Sequence, residues 1–133
     1  MKPVTQKQID AVLPFLECFE AEGITPGNWV FEPNQIPWFD FNETVYEFCH
    51  ALYDHGWVTS EFDWTKWTNS AKRYLESPEM IDSADGTTIQ KLLTTHVRQD
   101  RFCEGHLAVM FKNGHIVALL RRLREIRKEM SDK

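Results

Sequence analysis

Residues 89–107 read IQKLLTTHVRQDRFCEGHL and carry the clearest helical pattern in the chain. Large apolar side chains recur there at the three- and four-residue steps of a buried helix face. These apolar residues are Ile89, Leu92 and Leu93. Continued at the same steps, that face contains His96, Asp100 and Cys103. The pattern therefore predicts a helix that turns a histidine and an aspartate toward the protein interior.

An imidazole and a carboxylate resist burial unless they are hydrogen-bonded, and an ionised group also needs a partner. A carboxylate beside an imidazole would fix one ring tautomer and favour the protonated ring. Two interpretations stay open: a polar network that ties this helix to its neighbours, and a ligand-binding or catalytic pocket. Trp38 is a further candidate, because the loop that holds it lines either a groove or the core. The candidate binding residues are His96, Asp100, Arg101, Glu104, His106 and Trp38.

Residues that start and stop helices organise the rest of the chain. The predicted N-terminal caps are Thr5 paired with Gln8, Asn42 and Asp63. Pro14 is expected to kink or restart the first helix, and Gly23 to end it. Residues 23–42 hold three prolines and several aromatic rings, which favours extended chain, at most a short ribbon. The predicted fold is an all-α, compact bundle of five or six helices, a single domain over residues 1–133 with one extended aromatic and proline-rich loop over residues 23–42.

The composition is that of a globular protein that can bury a core. The chain has 133 residues, of which 42% are hydrophobic and 13% aromatic. It contains no apolar stretch long enough to span a membrane, and its polar start lacks the apolar segment of a signal peptide. Its cysteines, far apart and without a CxxC pair, are expected to be reduced. These features predict a cytoplasmic protein without a membrane partner.

Charge is divided unevenly along the chain, although the net charge is only -5. Residues 1–90 carry fifteen acidic against five basic residues, whereas residues 91–133 carry five acidic against ten basic. We expect the two halves to attract each other within one fold. The last predicted helix joins an apolar stripe to basic residues, which is typical of an amphipathic closing helix. A basic face for an anionic partner is the alternative, but the acidic protein as a whole disfavours nucleic acid.

The sequence contains no phosphate-binding loop, no Gly-x-Gly-x-x-Gly motif and no Gly-flanked nucleophile turn. Cys103-x2-His106 together with His96 and His115 would supply four zinc ligands. A structural zinc site usually has two close pairs, however, and here only one pair is close. Cys103 is expected to be a reduced core cysteine rather than a nucleophile. We therefore predict neither a metal nor a cofactor, and enzymatic activity stays open.

Three groups of residues are distinctive in combination. The most specific is the run over residues 92–107. The others are Met110-Phe111 with Gly114-His115 leading into Leu119-Leu120-Arg121-Arg122-Leu123, and Leu52-Tyr53-x-x-Gly56-Trp57 with Phe62-Asp63-Trp64. Together they resemble a family of small bacterial proteins known only as a domain of unknown function, over most of the chain from about Leu13 onward. The resemblance implies a bacterial source and a stand-alone helical domain, and it carries no activity and no site residue.

Three functions follow as hypotheses. The first is a non-enzymatic binding or regulatory module that recognises a protein partner or a second copy of itself. The second is a small enzyme or ligand sensor that uses a pocket around His96 and Asp100. The third is nucleic-acid binding through the basic C-terminal helix. The first two are separated by whether the side chains of His96 and Asp100 open onto a solvent cleft or are sealed inside.

Overall fold

Six α-helices and one two-stranded ribbon form the part of the chain that the structure describes. The structure is a computed structural model, and it describes residues 1–22 and 25–131. The helices are α1 (Gln6–Glu22), α2 (Glu43–Asp54), α3 (Thr68–Glu76), α4 (Gly86–Asp100), α5 (His106–Lys112) and α6 (His115–Ser131). The strands are β1 (Gly27–Val30) and β2 (Trp38–Phe41). Short 3₁₀ segments cover Trp64–Lys66 and Pro78–Ser83. The predicted multihelical bundle is confirmed.

The core is built around α6, which lies against α1, α4 and α5. Its predicted apolar stripe is buried, and the members of that stripe are Ile116, Leu119, Leu120, Leu123 and Ile126. The stripe of α4 faces the same core, with Ile89, Leu92 and Leu93 fully enclosed. Removing this much apolar surface from water is the main force that holds the helices together.

The uneven charge of the chain is matched across the contact between α1 and α6. Arg121 and Arg124 each lie 3.3 Å from a carboxylate oxygen of Glu20, and Arg127 lies 2.8 Å from Asp10. These groups are partly exposed, so each pair contributes little to the free energy of unfolding. They show that acidic residues of the first helix attract basic residues of the last.

Two of the three predicted caps stand at the start of an α-helix, before α1 and α2. Thr5 and Gln8 exchange the two hydrogen bonds of a capping box, at 2.9 and 3.2 Å, and Asn42 accepts a hydrogen bond from the backbone N–H of Val45. Asp63 caps a 3₁₀ turn, and α3 begins only at Thr68, so the predicted start of the third helix is wrong by about one turn. α1 runs without a break through Pro14. Gly23, predicted to end α1, lies outside the described residues.

The segment predicted as an extended loop contains an antiparallel ribbon. β1 pairs with β2 in a register that places Trp29 opposite Phe39 and Gly27 opposite Phe41. Gly27 has a φ of 150°, and a Cβ atom there would lie 2.0 Å from the carbonyl oxygen of Asp40. Only glycine therefore fits the close approach of the two strands. Trp38 is 41% exposed, which corrects the interpretation of this residue as core.

The cysteines and the helix lengths bear on two further expectations. All three cysteines are free thiols; Cys18 and Cys103 are exposed and Cys49 is half-buried. The interpretation of Cys103 as a core residue is wrong, because α4 ends at Asp100 and the buried stripe ends with it. None of the described helices has the length and apolar character needed to cross a membrane.

Candidate functional site

Three histidines from three helices meet in the interior of the bundle. His96 lies on α4 and is 1% exposed, while His106 and His115 are the first residues of α5 and α6. Nδ1 of His96 lies 3.0 Å from Nε2 of His106, and Nε2 of His96 lies 3.1 Å from Nε2 of His115. The rings of His96 and His106 are nearly parallel, whereas His115 meets His96 edge-on at 90°. We call these three residues the histidine chain.

Two glycine turns bring the outer rings of the histidine chain to His96. Gly105 and Gly114 directly precede His106 and His115, and their φ angles of 89° and 82° lie in the left-handed region that favours glycine. Each turn reverses the backbone, so that the next helix begins with a histidine beside α4. Asp100 fixes the first turn, because its Oδ1 accepts a hydrogen bond of 2.9 Å from the backbone N–H of Leu107.

The histidine chain has two hydrogen-bond directions. A neutral imidazole has one N–H and one bare nitrogen, so His96 must donate to one neighbour and accept from the other. In one direction His106 donates from Nε2 to His96, and His96 donates to His115. In the other direction His115 donates from Nε2 to Nε2 of His96, and His96 donates from Nδ1 to Nε2 of His106. Changing direction takes up one proton at Nδ1 of one outer ring and releases one from Nδ1 of the other.

Burial keeps the rings of the histidine chain neutral. Loss of solvation, followed by the nearby rings of His115 and His106, holds the pKa of His96 well below its ordinary value. Burial is also the main cause that lowers the pKa of His115 to about 4. The pKa of His106 is lowered by burial too, although the carboxylate of Asp100 acts in the opposite sense. At neutral pH all three rings are therefore uncharged and able to act as both donors and acceptors.

The histidine chain reaches a cleft at each end. His96 and His106 line a cleft of about 300 Å³, the α3–α4 cleft, whose other lining residues are Thr68, Asn69, Ala71, Lys72, Leu75 and Gln99. His115 lines a second cleft of about 140 Å³, the α3–α6 cleft, whose other lining residues are Leu75, Pro78, Ile81, Asn113, Gly114 and Ala118. Leu75 lines both clefts. The three imidazoles therefore lie between the two clefts, and His96 is almost fully buried.

Each outer ring of the histidine chain keeps one nitrogen outside the chain. Among the described residues, Nε2 is the atom that His106 and His115 each use toward His96. Neither Nδ1 atom belongs to the buried side-chain atoms without a partner, which are Oε1 of Gln90 and Nε of Arg98. Each Nδ1 therefore belongs to a ring that lines a cleft and does not take part in the hydrogen bonds of the histidine chain.

The other predicted site residues serve different contacts. Asp100 is half-buried; its pKa is raised by burial, and its partner is a backbone N–H rather than the imidazole of His96. Arg101 is exposed and donates a hydrogen bond of 3.1 Å to the hydroxyl of Tyr53. Glu104 accepts a hydrogen bond of 2.9 Å from the backbone N–H of Phe39 in β2. The structure thus brings His96 and His106 together and places Arg101 and Glu104 outside the cleft.

The sequence analysis named His115 only as one of four zinc ligands. A sequence signal for it exists: both His106 and His115 directly follow a glycine at a predicted turn. Within residues 1–22 and 25–131, no three His, Cys, Asp or Glu side chains are arranged to hold one metal ion. His96 uses a different nitrogen toward each neighbour, whereas a shared metal takes one nitrogen from each ring. A hydrogen-bonded chain is the arrangement that the geometry fits.

A second feature is the apolar surface of the ribbon. Trp29 and Trp38 are each 41% exposed, Phe31 is 74% exposed and Ile36 is 89% exposed. We call these four residues the ribbon surface. The ribbon is fixed to the body by Glu104 and by the Trp29 ring, which lies against Gly105 so closely that an added Cβ would be 2.7 Å from its Cζ2. These contacts hold Trp29 and Phe39 against the body, while Trp38 lies on the opposite face of the ribbon and Phe31 and Ile36 lie in the segment between the two strands.

The fold and the site define a small α-helical protein with a buried chain of hydrogen-bonded imidazoles between two clefts. The chain belongs to a family of unknown function (DUF6508), whose model matches residues 4–129. The match begins nearer the N-terminus than the resemblance seen in the sequence, and the family description gives no activity. The chain matches no curated protein and no solved structure.

Proposed function

We propose that this protein binds a small polar molecule in the α3–α4 cleft and exchanges a proton with it through the histidine chain. This is the second of the three hypotheses, a small enzyme or ligand sensor. The observation that carries it is the position of His106, which lines the cleft while its Nε2 is hydrogen-bonded to buried His96. A molecule bound in the cleft would lie beside the ring of His106.

Burial of the histidine chain supports a role beyond packing. A buried polar group without a hydrogen bond costs about 1–3 kcal/mol, so His96 is tolerated because each of its ring nitrogens has a hydrogen-bond partner. An apolar side chain at these sites would fill the same space without that requirement. Clusters of titratable groups with shifted pKa values in a cleft are typical of binding and catalytic sites.

The chemistry of the rings supports proton exchange. A group that transfers protons works best when its pKa lies near the operating pH, and an imidazole is the side chain closest to that condition. His106 is half-buried, and the carboxylate of Asp100 raises its pKa against the effect of burial. Of the three rings, His106 is therefore the one best suited to take up a proton from a bound molecule, with His96 as its hydrogen-bond acceptor.

The test is ligand binding followed at the histidine nitrogens. Protein labelled with ¹⁵N-histidine is titrated with acetate, sulfate, acetamide, glycerol and imidazole as probes. We expect at least one probe to shift the His106 and His96 signals, and His106→Gln to weaken its binding by about tenfold or more. His50→Gln is the matched control, because His50 is an exposed histidine on α2. If no probe binds, or if His106→Gln binds as well as the control, the proposal is wrong.

A second candidate function rests on the ribbon surface, which supports the first hypothesis. Fixed, exposed aromatic residues are typical of protein interfaces, and an isolated two-stranded ribbon is marginal in water. Within the described residues each strand pairs on one edge only, so its other edge carries unpaired backbone groups. A second copy would supply a matching strand edge through one two-fold axis, together with apolar side chains that could cover those exposed on the outer side of the ribbon.

Sedimentation of the full chain tests self-association. We expect a dimer that Ile36→Asp converts to a monomer, while Met80→Asp, at an exposed apolar residue away from the ribbon, leaves it intact. A monomer at all accessible concentrations would contradict self-association. For the third hypothesis, Arg121, Arg124 and Arg127 of α6 are bonded to carboxylates of α1, which reduces the charge available to a phosphate backbone.

A further inference from the structure

We propose that the α3–α4 cleft takes a small anion, a carboxylate or a tetrahedral oxyanion, and that its binding takes up one proton at His106. The inference rests on the proposed function, because it names the class of ligand for the same site. It follows from the side chains that line the cleft and from the direction that a protonated His106 imposes on the histidine chain.

The lining of the cleft is cationic. Lys72 is the charged side chain among the lining residues that the structure describes, and no carboxylate lines the cleft with it. Thr68, Asn69 and Gln99 add hydroxyl and amide groups that can donate hydrogen bonds. A concave site with one ammonium group and several neutral donors favours a negatively charged ligand, because charge-assisted hydrogen bonds are stronger than neutral ones.

The size of the cleft limits the ligand. Its volume of about 300 Å³ lies at the lower end of the range for small-molecule sites. A cleft of this size accommodates a small organic acid or a compact phosphate ester. Lys72 and His106 both line this cleft, so an anionic ligand bound in it lies near both side chains.

Proton uptake follows from the charges around His106. The titratable groups that face it are Lys72 on α3, His96 and Asp100 on α4, and His115 on α6, with Glu104 beside Asp100. Without a ligand, burial keeps the ring neutral despite Asp100. A bound anion adds a second negative charge next to the ring and so favours the imidazolium. The proton comes from water, and His106 then carries N–H groups on both nitrogens.

A protonated His106 fixes the direction of the histidine chain. Its Nε2–H must donate to Nδ1 of His96, so His96 carries its own proton on Nε2 and donates it to His115. His115 then accepts at Nε2 and holds its proton on Nδ1, in a ring that lines the α3–α6 cleft. Binding of the anion in one cleft therefore sets the tautomer of His115 in the other. This is a physical link between two clefts that share Leu75 in their linings.

Calorimetry in two buffers of different ionisation enthalpy tests the proposal on the full chain. Acetate represents carboxylates, sulfate represents tetrahedral oxyanions, and acetamide is the neutral match for acetate. We expect acetate or sulfate to bind with uptake of about one proton and with affinity that rises about tenfold as pH falls from 7.5 to 6.5. Binding of only one of the two anions assigns the ligand class. Histidine ¹⁵N signals should show His115 protonated at Nδ1 in the bound state.

Variants separate the contributions. We expect Lys72→Gln to weaken anion binding by about tenfold, and Lys66→Gln, at an exposed lysine of the 3₁₀ turn, to leave it unchanged. His106→Gln should abolish the proton uptake. Suppose that acetamide binds as well as acetate at every pH and that His106→Gln still weakens the binding of both. The inference of an anionic ligand is then overturned, whereas the proposed function stands. If neither anion binds up to about 50 mM while glycerol or imidazole does, the anionic class is wrong. If no probe binds, both proposals fail.

Discussion

The histidine chain and the ribbon surface place side chains in opposite surroundings. At the junction of α4, α5 and α6 the molecule encloses polar rings, and each nitrogen of His96 has a partner. On the ribbon it exposes Phe31 and Ile36, which would be stable in a core. Burying polar rings and exposing apolar side chains each lower the free energy of unfolding, compared with a fold that buries the apolar and exposes the polar groups. The two proposed functions rest on this contrast, and the following predictions break or sharpen it.

The largest effect is expected from His96→Ala. The substitution creates a cavity and removes the partner of both outer rings, so we predict a loss of about 3 kcal/mol in the free energy of unfolding. Urea denaturation measures it. The control is His50→Ala, an exposed position on α2 where the change should stay within about 0.5 kcal/mol. A loss below about 1 kcal/mol at His96 would mean that the histidine chain is not integral to the core.

The stability of the protein should fall in mildly acidic solution. The pKa of His115 is about 4 in the folded protein, against an ordinary value of 6.5 that applies to the unfolded chain. Between these two pH values the unfolded chain therefore binds more protons than the folded protein. The contribution of His115 is complete above pH 6.5 and is lost as pH falls toward 4, by about 1.4 kcal/mol for each pH unit in that window.

A comparison of variants isolates this contribution from that of the carboxylates. The slope of unfolding free energy against pH between 6.5 and 4 should be smaller in His115→Gln than in wild type by about one proton. His50→Gln should keep the wild-type slope. Equal slopes in wild type and His115→Gln would contradict the assignment of a lowered pKa to His115.

A smaller effect is expected at Asp100. Replacing it by alanine removes the acceptor for the Leu107 N–H at the start of α5, which should cost about 1–2 kcal/mol by urea denaturation. Asp100→Asn keeps an oxygen in that position and should cost less. The asparagine variant also loses the negative charge that favours a protonated His106, so anion binding should weaken although the fold is retained. Anion binding equal to wild type in Asp100→Asn would contradict the electrostatic role of this carboxylate.

The smallest effect on stability is expected on the ribbon. Ile36→Asp and Phe31→Asp change side chains that are mostly in water, so the unfolding free energy of the isolated chain should stay within about 0.5 kcal/mol. Thermal unfolding at low protein concentration checks this. A large loss would show that these residues pack in the fold, and the contrast with His96 would then disappear.

Helical spacing along α4 was enough to predict that His96 faces inward, and capping residues located the starts of α1 and α2. The spacing could not show that α4 ends at Asp100, because no proline or glycine marks that position and Arg101 still has helical backbone angles. Cys103 follows the end of the helix and therefore lies outside the buried face on which the spacing had placed it. The partners of His96 were also hidden from the sequence. His115 is nineteen residues away, and its approach depends on two successive glycine turns and on how α6 packs against α4.

The ribbon illustrates the other limit of the sequence. Prolines and aromatic residues over residues 23–42 excluded a helix, but pairing of the strands depends on the close approach at Gly27 and on the Glu104 side chain, 65 residues from the Phe39 amide that it binds. A contact at that separation leaves no local pattern. Exposure of Trp38 follows from the same contact, because it fixes which face of β2 lies against the body.

The most direct test of the account is the protonation state of the histidine chain at pH 7. In ¹⁵N-histidine-labelled protein, we predict that His96, His106 and His115 are neutral, with scalar couplings across N–H···N hydrogen bonds that join His96 to both neighbours. His50 should show an uncoupled ring as an internal reference. A protonated His96, or three rings without couplings between them, would contradict the histidine chain and the functions proposed for it.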